Sequence, residues 1–260
     1  MHIYLINLER RPDRLAAMTA RAEGLGLALE RVEAVDAATV EPDTLDRWFE
    51  DGGPLGEIPR GDKACLLSHC LAWQKFLAGA DSHAVFLEDD VLLSPQAGAL
   101  LADEDWIPAG ASVLKLEHYG PKGQRVLLTD LEITKNGFQT GRMLSRHTGA
   151  AAYILSRSAA ELLLAQTHFD LPVDHLLFNP NNSALFARLT PLQLLPAIAR
   201  QEQFVGARSD IEGTRKPLRA LSATYVKREL VRFGYDLKLL PRQLTALLAG
   251  ARLVAIATAK

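Results

Sequence analysis

Cysteine is scarce in this chain, with two residues, Cys65 and Cys70, among 260. Two thiols five positions apart fit no zinc motif and build no disulfide framework, so they read as free thiols in a reducing compartment. No stretch is long and apolar enough to span a bilayer. The opening Met-His-Ile-Tyr-Leu-Ile-Asn-Leu soon meets Glu9-Arg10-Arg11 and lacks the basic start and long apolar core of a secretory leader. A cytoplasmic protein is therefore expected. Excess charge of either sign is absent too. A net charge of −2 gives no reason to expect nucleic acid as a partner. Several catalytic signatures are missing. There is no phosphate-binding glycine loop ending in Lys-Ser or Lys-Thr, no Gly-x-Ser-x-Gly and no His-Glu-x-x-His. Gly24-Leu25-Gly26 lacks the third glycine of a dinucleotide fingerprint and follows a helix pattern rather than a strand. Repeats and low-complexity linkers are absent as well.

Hydrophobic and charged contents of 48% and 23% are ordinary for a soluble globular protein, and the length allows one large domain or two small ones. Residues 2–8 alternate and read as a first strand. Pro12 suits the first turn of a helix running to about Gly24 or Gly26. A second strand covers 31–35. Residues 40–61 read as a loop with a short helix around Leu45–Phe49. Asp62 could cap a helix carrying Leu66, Cys70, Trp73 and Leu77 on one face. Further strands are expected at 84–87, 113–116, 150–155 and 192–195, with a hairpin from 126–128 to 139–140 around Asn136-Gly137. Ser156 or Ser158 would start a helix carrying Leu162-Leu163-Leu164. Strands alternating with helices imply an α/β sheet with helices on both faces.

The most informative feature is Glu88-Asp89-Asp90, which directly follows the apolar run Ala84-Val85-Phe86-Leu87. Three carboxylates leaving a buried strand repel one another and lose hydration. A divalent cation with a taste for oxygen ligands, Mg²⁺ or Mn²⁺, is the usual compensator. Open α/β sheets bind ligands beyond the carboxyl ends of their strands, where this triplet would lie. An acidic turn exposed to water is the alternative reading. Asn7, Arg11 and Arg14 follow the first strand, and Asp36 follows the second. Arginines there can grip phosphate or stack on a base, and Asp36 could accept from a base or ribose. Taken singly, the arginines also fit a solvated helix face.

Several segments carry a resemblance to a known family. They are Ile6-Asn7-Leu8-Glu9-Arg10-Arg11-Pro12-Asp13-Arg14, the stretch from Gly61 through Cys65 and Ser68-His69 to Trp73, and Phe86-Leu87-Glu88-Asp89-Asp90-Val91. Thr148 to Ser156, Pro172-Val173-Asp174, and Gln201 with Ser209-Asp210-Ile211 continue the same order. Together, over roughly residues 1–212, they resemble glycosyltransferase family 25, the lipopolysaccharide and lipooligosaccharide galactosyltransferases of bacteria and their collagen-modifying relatives. The family usually has Gly-Glu-x-Gly-Cys where this chain has Gly61-Asp62-Lys63-Ala64-Cys65.

The resemblance implies a GT-A type fold over 1–213, a UDP-sugar donor, typically UDP-galactose, Mn²⁺ or Mg²⁺, inversion at the anomeric carbon, and a glycan or lipid-linked glycan acceptor. A bound dication would stabilise charge building on the departing diphosphate. Asp90 is expected as the principal metal ligand. Glu88 would bind directly, through water, or to the ribose, and Asp210 is an extra ligand or a turn residue. Asp89 anchors the loop or faces donor hydroxyls. Lys63, Ser68, His69 and Gln201 join the expected donor site. Single displacement needs a base for the acceptor hydroxyl. Asp174, at a helix start that favours its ionised form, is the first candidate, with capping as its other reading. Glu117 is a second candidate base or a sugar-hydroxyl ligand. Other metal-dependent nucleotide-sugar enzymes, such as a nucleotidyltransferase or hydrolase, share this carboxylate logic. A non-catalytic glycan-binding protein on the same fold shares the frame.

Residues 214–260 carry +8 against −10 for the rest of the chain, and they are rich in leucine. This segment reads as a helical extension. It either lies on an anionic inner-leaflet surface or packs on the domain as a helix pair with its basic side chains in water.

Overall fold

A computed structural model describes residues 1–50, 53–120, 124–134, 136–202 and 223–259. In chain order the elements are β1 (His2–Asn7), α1 (Pro12–Gly24), β2 (Glu30–Glu33), α2 (Pro42–Asp46), α3 (Arg60–Ala78), β3 (His83–Glu88), β4 (Val91–Leu93) and α4 (Ala97–Leu101). Then come β5 (Val113–Lys115), β6 (Glu117–His118), β7 (Arg125–Ile133), β8 (Gln139–Met143), β9 (Ala152–Ser156), α5 (Arg157–Leu164) and α6 (Val173–Phe178). Last are α7 (Phe186–Leu189), β10 (Leu192–Leu195), β11 (Ala199–Gln201), α8 (Ala223–Leu248) and β12 (Arg252–Ala255).

Among the described residues, nine strands form a mixed sheet in the order β12-β7-β8-β10-β5-β9-β3-β1-β2. Alternation along the strands explains why both faces are covered. In β1, Ile3 and Leu5 enter a core with Met18 and Ala22 of α1 and Leu100 of α4. Tyr4 and Ile6 enter the opposite core with Trp73 and Phe76 of α3 and Leu163 of α5. In β3, Val85 and Leu87 join the first core, while Ala84 and Phe86 join the second. The expected α/β layout, a mixed sheet flanked by helices, is the one this chain adopts.

Local signals place the helices. Pro12 occupies the first turn of α1, where its missing N–H costs nothing. Ser156 caps α5 by accepting from the Ala159 N–H at 3.2 Å. The expected C-terminal helix pair is instead one helix, α8, followed by a strand. Gly250, at φ +102°, ends the helical segment, and β12 pairs antiparallel with β7. The reason is the open edge of β7, whose unpaired backbone groups accept a Leu-Val strand. Ile256 is then buried. Among the described residues, no helix is long and apolar enough to cross a membrane.

Candidate active site

β1 runs parallel to β3, and β3 and β5 are each antiparallel to β9. The carboxyl ends of β1, β3 and β5 therefore share one edge of the sheet. Asn7, Glu88-Asp89-Asp90 and Lys115–Glu117 meet there. Strand parity decides which face each side chain takes. Glu88 continues the Ala84 and Phe86 series toward α3, and Lys115 and Glu117 continue from Val113 on that same face. A second sheet, in the order β4-β11-β6, fastens the edge. It begins just after Asp90, includes Glu117 in β6 and ends at Gln201 in β11. The Glu202 N–H donates to the Asp90 carbonyl at 2.8 Å.

The carboxylates are close and poorly hydrated. Burial pushes Glu88 up to about 8, reinforced by the charges of Glu117, Asp89 and Asp174. Asp90 is likewise pushed up to about 8 by burial and then by Glu88, against the pull of Arg14. Asp90 Oδ1 is buried without a hydrogen-bond partner among the described residues. A lone-pair oxygen left so is costly unless a cation or donor meets it. The group is thus an all-oxygen set with an unmet acceptor, which fits Mg²⁺ or Mn²⁺. Glu88 and Asp90 are the residues that would hold the ion.

Asp89 is tied to the end of β1 and to α1. Its Oδ2 accepts from Asn7 Nδ2 at 2.7 Å and its Oδ1 from Arg14 at 3.0 Å. Asn7, Arg14 and Asp89 therefore lie together beside the acids. Glu117 is fully buried, with Oε1 accepting from Lys115 at 2.8 Å and Oε2 from the Ala151 N–H at 2.9 Å and Gln201 at 3.5 Å. That enclosure ties Glu117 into the frame around the acids. Asp174, half-buried at the start of α6, accepts from the Gly149 N–H at 3.3 Å.

Other expected donor residues are engaged elsewhere. Arg11 pairs with Asp13, Asp36 with Arg10, and Lys63 with Asp46. Ser68 donates to the Ala64 carbonyl and accepts from the Val35 N–H, joining α3 to the turn after β2. His69 has no exposed surface. Its Nδ1 lies 2.8 Å from Tyr153 Oη and its Nε2 lies 3.3 Å from Glu88 Oε1, and burial pulls its pKa down to about 3. Ser68 and His69 are both buried within the frame. Asp210 lies outside the described residues.

Sequence reasoning missed Lys115. It is fully buried, donates to Glu117 and to the Gly149 carbonyl, and sits 4.4 Å over the Phe178 ring. Burial pulls its ammonium below the ordinary value, while Glu117 opposes that. The available signal was period-2 spacing: Lys115 and Glu117 must share a strand face beside Leu114 and Leu116. Gly149 stands in the Thr148–Ser156 segment. Its φ is +86°, and a Cβ there would lie 2.0 Å from Glu117 Oε1. Only glycine allows this approach.

Residues 1–177 match the family described as Glycosyltransferase family 25 (LPS biosynthesis protein). The chain belongs to that family. The lacto-N-neotetraose biosynthesis glycosyltransferase LgtB of Neisseria gonorrhoeae is 31% identical over 221 residues, covering 78% of this chain and 75% of LgtB. The lipooligosaccharide biosynthesis protein lic2B of Haemophilus influenzae is 28% identical over 158 residues, or 56% of each chain. The match thus spans about half the length of lic2B. Among solved structures, a glycosyltransferase involved in glycosylation of the major capsid of PBCV-1 aligns over 88% of this chain and 100% of its own, at 10% identity and a TM-score of 0.39. That likeness is remote.

Proposed function

We propose that this chain is an inverting, metal-dependent glycosyltransferase that moves a hexose, with galactose the leading choice, from a UDP-sugar to a lipopolysaccharide or related surface-glycan acceptor. The observation that carries this reading is the acid edge: Glu88 feels the charges of Glu117 and Asp174, Asp90 those of Glu88 and Glu117, and Asp90 Oδ1 is buried without a hydrogen-bond partner among the described residues. A dication held by Glu88 and Asp90 would supply Lewis-acid stabilisation to the departing diphosphate. The chain's own groups do the rest. Asp89, gripped by Asn7 and Arg14, fixes the turn that presents its two neighbours. Lys115 holds Glu117 in place beneath them. Asp174 is half-buried and takes the proton of the attacking acceptor hydroxyl as the base. We assign 1–213 to the catalytic domain, with 214–260 as an extension.

The extension is also the proposed membrane contact. Leu237, Leu240, Leu244, Leu247 and Leu248 are exposed on α8 at helical spacing, with Lys238 and Arg242 among them. An apolar stripe with basic neighbours suits an anionic inner leaflet, where lipid-linked acceptors would be met.

A donor screen with purified protein and Mn²⁺, reading UDP release across UDP-hexoses, tests the transferase reading. Free UDP together with a new glycoside is expected. Pyrophosphate release would instead indicate nucleotidyl transfer.

A further inference from the structure

We propose that Cys65, His69 and Glu88 form a second metal site, one for a soft divalent ion of the zinc class. Cys65 and His69 stand four positions apart on α3, so both project from one helix face. Glu88 reaches them from the end of β3. The Cys65 Sγ, His69 Nε2 and a Glu88 carboxylate oxygen all lie within 4.8 Å of one another. Two of the separations are 3.3 Å, from His69 to Glu88, and 3.9 Å, from Cys65 to Glu88. Zinc bonds of about 2.0–2.3 Å place neighbouring ligand atoms of a tetrahedron about 3.3–3.8 Å apart. The two separations to Glu88 thus stand near the edges of a zinc tetrahedron, and the third lies within 4.8 Å.

The ligand set is the one zinc prefers and Mg²⁺ does not: a thiol, an imidazole and a carboxylate. The surroundings support it. Metal-bound histidines usually anchor their other ring nitrogen, and His69 Nδ1 is held by Tyr153 Oη at 2.8 Å. Tyr153 Oη is itself fixed by the Trp73 indole N–H at 2.8 Å. Burial first, and then the charges of Glu88, Asp62, Asp174 and Asp90, push the Cys65 thiol well up, and the same negative potential favours a cation beside it. Cys65 and Glu88 are both partly exposed, so the cluster is within reach of solvent. Uptake of the ion releases the thiol proton to solvent.

The site shares Glu88 with the oxygen-rich one proposed above. A zinc-class ion withdraws that carboxylate from Asp90, so it acts as an inhibitor of transfer. Only this consequence rests on the transferase reading; the binding itself does not.

The test uses the full metal-free chain without nucleotide sugar, and Co²⁺ as a spectroscopic stand-in. Expected is a near-ultraviolet thiolate-to-Co²⁺ charge-transfer band with the visible bands of a four-coordinate ion, bleached by added Zn²⁺. Cys65→Ser should abolish the charge-transfer band and Cys70→Ser should leave it. Tyr153→Phe should weaken Co²⁺ binding about 10-fold. Circular dichroism checks each variant, and Glu88→Gln, which must also weaken binding, decides the matter if Cys65→Ser unfolds. Absence of the band in the unmodified chain, or its survival in folded Cys65→Ser or Glu88→Gln protein, overturns the proposal. No donor enters the measurement, so failure of the donor screen leaves this result standing, and the reverse holds.

Discussion

Asp174 and Glu117 show how environment sorts residues of one chemical type. Both are carboxylates near the same edge. Glu117 is sealed by Lys115, Ala151 and Gln201, whereas Asp174 keeps some exposure. Asp174→Asn is accordingly expected to lower kcat by about 10²–10⁴-fold while UDP binding is retained. Full turnover in that variant would remove Asp174 from the base role. Glu88 and Asp90 give a second prediction, about pH. In the metal-free fold both hold protons up to about pH 8, against ordinary values of 4.5 and 3.8. The native state thus binds these protons more tightly than the unfolded chain. Their contribution to stability is greatest at low pH and declines as pH climbs through that window. The Tm of metal-free protein should fall between about pH 5 and about pH 8, and Mn²⁺ should raise Tm more at the upper end. A flat Tm profile in the unmodified chain, or one unaltered by Asp90→Asn, would contradict this.

Elements differ in how much of them could be read from the chain. β3 was legible because an apolar run of four ends in three acids, and that break in polarity marks both the strand and the site. β1 and α1 were legible through alternation and through Pro12. β4, β6 and β11 escaped because strands of two or three residues carry too little periodicity, and pairing with distant partners defines them. Leu253-Val254-Ala255-Ile256 suits helix or strand alike, and only the open edge of β7 decides for β12. The Cys65–His69 pair is hard to see in the chain because its spacing of one helical turn gains meaning only once α3 sets both on one face. Lys115 hid in an apolar strand. Lys115→Met, which strands Glu117 as an unpaired buried charge, should cost about 3–5 kcal/mol in urea unfolding. Pairing it with Glu117→Gln should recover part of that loss, and an additive result would show that the two groups are not coupled.

At the scale of the whole molecule, the extension is both scaffold and surface. β12 closes the edge of the large sheet and Gln243 of α8 donates to the Leu144 carbonyl at 3.0 Å, yet a leucine stripe stays outside. Removing everything after 213 would therefore strip a strand along with the stripe. Leu240→Glu with Leu244→Glu is the cleaner probe. These changes should abolish co-sedimentation with anionic liposomes while leaving the melting curve near that of the parent. Retained liposome binding would refute the membrane role. The small sheet of β4, β11 and β6 has a different consequence. It gathers Asp90, Gln201 and Glu117 from stretches far apart along the chain, so no early segment can assemble the metal pocket by itself. During refolding, helices and neighbouring hairpins should recover well before the ability to retain a dication, because closure of those long loops comes last.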